Sequence, residues 1–99
     1  MSITHEDLKV LAWERSSPEE RQAYLDAGPE ADAAIAAAEI VYQMRTHAGL
    51  TQTELARRMG SAQPFVSAIE RGARVPTLPT LQRIASATGN RLTLVAAPV

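Results

Sequence analysis

The stretch "LTQTELARRMGSAQPFVSAIERG", residues 50–72, constrains the fold of this chain more than any other. Thr51 stands at an N-cap, Glu54 closes a capping box three residues later, and Leu50 can staple onto Leu55 across the first turn. That helix can run only to Met59, because Gly60 readily adopts the left-handed conformation that ends a helix. A second helix starts near Ser61 or Ala62 and ends at Gly72. Pro64 fits its first turn, where the missing amide would have had no helical partner.

Helical patterning continues on both sides. Thr4 and Asp7 resemble a capping signal for a short first helix carrying Leu8, Leu11 and Ala12 and ending by Ser16. "SPEERQAYLDAG" predicts a complete small helix: Ser17 as N-cap, Pro18 at the first position, Glu20 closing a box and Gly28 as the stop. "EADAAIAAAEIVYQMRTHAG" is strongly helix-prone, with Ile35, Ile40, Met44 and Ala48 near one stripe and Gly49 as the stop. Thr77 caps a last helix whose core face is Leu78, Leu81, Ile84 and Ala85, stopped by Gly89. "RLTLV" then changes the period to two and reads as a single strand.

Composition narrows the function. The chain has no cysteine, which excludes disulfides, thiolate metal sites and cysteine nucleophiles. His5 and His47 are far apart and lack metal-ligand spacing, and no phosphate-binding loop appears, so neither an enzyme nor a cofactor nor a metal is expected. No signal peptide and no membrane span is read, which makes the expected location cytoplasmic. The net charge of -1 conceals a segregation: residues 1–42 carry nine acidic groups against three basic, residues 43–99 seven arginines against two glutamates. The acidic head suits a basic protein and the basic remainder suits phosphates, unless both are only solvated surface.

Two helices joined by about four residues, the second free to enter a groove, define a helix-turn-helix. Ala56 is small where the second helix must cross the first, Gly60 suits the turn, and Val66 and Ile69 give the second helix buried groups one turn apart. "GLTQTELARRMG", "QPFVSAIERG" and "PTLPTLQRIASATG" follow in the order and spacing of the Cro/CI-type (XRE) helix-turn-helix family, which residues 41–89 resemble. The resemblance implies an all-α, lambda-repressor-like helix-turn-helix bundle, here with an N-terminal helical extension (1–28), a DNA-binding domain (29–89) and one C-terminal β-strand (90–99). It implies double-stranded operator DNA as partner. Gln52 matches a phosphate-holding position, Gln63 a base-reading one, and Pro64, Ser67 and Ala68 its groove-facing neighbours. Arg71 and Arg74 match backbone-contacting positions, while Arg57 and Arg58 are either further contacts or a solvated helix face. Arg45 and Glu70 align with an ion pair that orients the recognition helix in relatives.

A lone strand leaves its backbone groups unpaired, so pairing of Leu92 and Leu94 with a second copy about a two-fold axis is expected, giving a homodimer with reading helices about 34 Å apart; the competing reading is a loose tail or one packed on its own chain. A helix-turn-helix with such a tail, preceded by "SPEERQAYLDAGPE", also resembles HigA- and HipB-like antitoxin repressors of type II toxin-antitoxin modules. That resemblance implies a RelE/HigB-like toxin as partner of the acidic head, with Trp13, Tyr24 and Leu25 as anchors; the competing role for these three is packing on the chain's own long helix. A stand-alone repressor and a protein-interaction module on the same fold are the other readings.

Overall fold

A computed structural model describes residues 10–11, 13–27 and 30–98, without the side chains of Tyr24, Leu25, Ala27 and Glu30. The capping signal at Thr4 and Asp7, the glycine stop at Gly28 and the side-chain roles expected of Tyr24 and Leu25 therefore lie outside the described residues. Helical residues extend to Arg15. Five further helices follow: α1 (Pro18–Ala27), α2 (Glu30–His47), α3 (Gln52–Met59), α4 (Gln63–Glu70) and α5 (Leu78–Ala87).

The starts are set by local chemistry. Ser17 Oγ accepts from the Glu20 amide at 3.1 Å, and the Ser17 amide donates back to Glu20 Oε1 at 3.4 Å. The same reciprocal box closes at Thr51 and Glu54, both bonds at 3.1 Å. Thr77 accepts from the Thr80 amide at the head of α5. At the other end of α3, Gly60 sits at φ 70°, and the Ser61 amide returns to Ala56 O at 2.8 Å. A Cβ at Gly60 would meet nothing within 4 Å. The glycine is there for its dihedral and not for space.

Packing places α3 against α4 and α5, α2 against α4 and α5, and α1 against α2. The core joins Val41 and Met44 of α2, Leu50, Leu55, Ala56 and Met59, Val66 and Ile69 of α4, and Ile84 and Ala85 of α5. Leu55, Val66, Ile69 and Ile84 are wholly buried, which supplies about 1.5–3 kcal/mol each for transfer from water.

Three expectations are corrected. The long helix does not bury one stripe: Ala48 is exposed, whereas Ala37, Ala38, Glu39 and Val41 are buried, because α2 is covered by the motif on one side and by the head on another. Leu78 is 49% exposed at the first position of α5 and leaves the inner face to Ile84 and Ala85, with Leu81 partly covered. The C-terminal β-strand is absent: residues 90–98 form no regular element, since the described chain has no other strand to complete a ladder. Leu92 packs partly on its own chain's core, while Leu94 stays 68% exposed. No helix among the described residues is long and apolar enough to cross a membrane.

Candidate nucleic-acid interface

The two glutamines at the helix starts meet. Gln63 Nε2 donates to Gln52 Oε1 at 2.8 Å, and Gln52 Nε2 donates to Glu70 Oε1 at 3.2 Å. Glu70 in turn accepts from Arg45 twice, Nε to Oε2 at 2.7 Å and Nη2 to Oε1 at 2.9 Å. The third guanidinium nitrogen of Arg45 donates to Leu50 O at 2.9 Å, across the α2–α3 junction. One chain of hydrogen bonds thus runs from α2 through Glu70 of α4 and Gln52 of α3 to the exposed Gln63.

The electrostatics favour this arrangement. The Arg45 side chain is 13% exposed and that of Glu70 4%, so both charges are largely removed from water and depend on each other. The paired guanidinium has its pKa raised, first by the hydrogen bond to Glu70 and against the effect of burial. Every buried side-chain nitrogen and oxygen among the described residues has a hydrogen-bond partner. The fork geometry of arginine on carboxylate supplies direction as well as charge, and it ties the last residue of α4 to the end of α2.

Around the tip of Gln63, Pro64 is exposed and Ser67 and Ala68 are half-buried along the same helix. Arg71 and Arg74 are exposed just past its end. Arg74 lies over the Phe65 ring, 4.8 Å from its centroid, which holds a flexible cation near the helix it follows. Phe65 itself packs partly on the core. Arg57 is exposed; Arg58 donates to Ala87 O at 3.1 Å and so ties α3 to the end of α5. His47 is exposed in the last turn of α2.

The helix starts differ. Ala62, the N-cap of α4, offers no side-chain acceptor, and no acidic residue stands in the first turn.

Sequence reasoning missed a second cluster. Glu39 is buried and paired with Arg15, and Tyr42 lies beside both Arg15 and Arg45. The one available signal was an acid inside the apolar run "AAAEIVY", where a charge needs a partner. The contact between Gln52 and Gln63 was equally illegible, because it depends on how α3 and α4 cross.

A short helix ended by a left-handed glycine, a second helix packed across it, and exposed amides and arginines beside that second helix define a helix-turn-helix domain. The chain belongs to this family, of the Cro/CI (XRE) type: the family profile, described as Helix-turn-helix, matches residues 41–95. Among curated relatives, Antitoxin HigA1 of Mycobacterium tuberculosis is 50% identical over 52 residues, 52% of this chain and 35% of that protein. The uncharacterized HTH-type transcriptional regulator y4dJ of Sinorhizobium fredii is 45% identical over 47 residues, 48% of this chain and 61% of that protein. The matched region thus covers about a third of the length of the HigA1 relatives. No solved structure matches the chain significantly.

Proposed function

We propose that this protein is a sequence-specific DNA-binding repressor, the antitoxin of a type II toxin-antitoxin module, acting in the cytoplasm on its own operon. The hydrogen-bonded chain from Arg45 to Gln63 carries the DNA-reading part of this proposal, and the likeness to Antitoxin HigA1 supports the antitoxin part. Gln63 uses one N–H on Gln52, which leaves its second N–H and its carbonyl for N7 and N6 of one adenine. Gln52 likewise has an N–H left for a phosphate. Pro64, Ser67 and Ala68 border the same base edges, Arg71, Arg74 and Arg57 meet the DNA backbone, and the Arg45–Glu70 pair orients the reader.

In this reading two copies associate through the tails. Leu94 and Val95 are 68% and 84% exposed in the single chain. Pairing of residues 91–95 with the same residues of a second copy would satisfy backbone groups along one edge and bring Leu92 and Leu94, which share a face, beside their counterparts. The acidic head takes a basic RelE/HigB-like toxin, with Trp13, Tyr24 and Leu25 as contacts. The Sinorhizobium relative is named only as an HTH-type transcriptional regulator, which is compatible with a second reading, a stand-alone repressor.

The test is a salt-series titration on the protein's own promoter fragment, against scrambled DNA of equal length. The expected result is preferential binding to the promoter, with affinity falling steeply as salt rises. Equal affinity for both DNAs at every salt concentration would refute operator binding. Co-expression with the product of the adjacent gene, followed by purification, separates the antitoxin from the stand-alone repressor.

A further inference from the structure

The carboxylate of Glu39 plays no part in the interface above, yet it is 1% exposed in the middle of α2. Gln43 Nε2 donates to its Oε1 at 3.0 Å, and Arg15 Nη2 forms the ion pair with its Oε2. Arg15 belongs to the head, just before α1. Were the head to lift away, Glu39 would keep, among the described residues, the Gln43 amide alone, so the buried charge favours a docked head.

Arg15 also faces the motif. Its guanidinium carbon lies 4.0 Å from the centroid of the Tyr42 ring, and that of Arg45 lies 5.4 Å from the same centroid. Two cations share one ring, and the second of them grips Glu70. Beside this stack is a cleft of about 510 Å³, lined by Trp13 and Arg21 of the head, Ile35 of α2, and Gln52 and Arg71 of the motif. Alongside that open space, the Arg15–Tyr42–Arg45 stack is a direct solid link between the head and the reader.

We propose that Arg15 is a positioning residue for the recognition helix: through Tyr42 it confines Arg45, and so Glu70, Gln52 and Gln63, making operator selectivity depend on a docked head. The inference rests on the operator-binding reading and adds regulation to it. A protein partner that grips the head and draws Arg15 off Tyr42 loosens the reader without touching DNA.

Arg15→Lys keeps a cation for Glu39 but loses the planar guanidinium on the ring, and its fold is checked by an unchanged thermal midpoint. The expected result is a ratio of promoter to scrambled-DNA affinity reduced about 3- to 10-fold, with scrambled-DNA affinity unchanged. Tyr42→Leu should do the same, and Tyr42→Phe, which retains the ring, should restore the ratio. Adding Arg15→Lys to Gln63→Ala should produce no further fall, because both act through one amide. A readout free of DNA is the solvent exchange of the Arg45 Nε–H by NMR, expected to quicken in Arg15→Lys. Normal selectivity in Arg15→Lys, or full additivity with Gln63→Ala, overturns the proposal while leaving operator binding intact. A wild-type protein that does not discriminate the two DNAs overturns the operator reading, and an Arg45 exchange rate unaltered by Arg15→Lys then overturns the coupling separately.

Discussion

The two helices of the motif are both eight residues long and are secured in opposite ways. α3 carries its own instructions: a capping box at Thr51 and Glu54, and a left-handed glycine at Gly60. α4 begins at Ala62 with no side-chain cap, and no basic residue stands in its last turn. What holds it is tertiary: Val66 and Ile69 wholly buried, and Glu70 clamped by Arg45 from another helix. The difference teaches how a reading helix is built. On the proposed DNA-reading role, capping groups at its start would occupy the amides and add a negative oxygen near phosphates, which fits a helix stabilised from its opposite, buried face.

The comparison breaks most visibly at Glu70. Glu70→Ala leaves the Arg45 guanidinium buried and unpaired and should destabilise the fold by about 3–5 kcal/mol in urea unfolding; a loss below about 1 kcal/mol would mean that α4 does not depend on the clamp. Gln63→Ala should cost about 1–3 kcal/mol on promoter DNA and relax the preference at one base pair, with little change on scrambled DNA. Losses of equal size on both DNAs would rule out a base-reading role.

Smaller effects sharpen the contrast. Thr51→Ala removes the cap on which α3 relies and should lower stability by about 1 kcal/mol. The Glu54 carboxyl is held below the usual carboxylate range, first by its hydrogen bond with the Thr51 backbone. Its contribution is therefore complete above that range and is lost as pH falls through the depressed folded value. Acid titration of stability should show this loss in the wild type and show it diminished in Glu54→Gln. Ala62→Asp gives α4 the cap it lacks, at a residue already in the extended conformation that an N-cap uses. Thermal stability should rise by the equivalent of about 0.5–1 kcal/mol, while promoter affinity falls, since on the proposed binding mode the new carboxylate would stand next to Gln63 and repel the DNA. A gain in both would show that the bare start of α4 serves no purpose in binding.

Legibility in the sequence follows the same division. The starts of α1, α3 and α5 at Ser17, Thr51 and Thr77, and the turn at Gly60, were readable because each depends on neighbours within one helical turn. The alternation in "RLTLV" was misleading within the single chain, because a period of two describes a strand only where another strand completes its ladder. Leu78 was assigned inward by spacing, yet its place on the first turn of α5 leaves it beyond the reach of the core.

The amino-acid sequence by itself determined the helix starts at Ser17, Thr51 and Thr77, the turn at Gly60 and the family, since caps, glycines and apolar spacing act over a few residues. Only the tertiary structure decided which charges are buried and what they touch. Arg15 and Glu39, Arg45 and Glu70, and Gln52 and Gln63 are separated by 24, 25 and 11 positions. Whether such polar groups meet depends on how helices cross, and the value of each contact depends on the water that packing excludes.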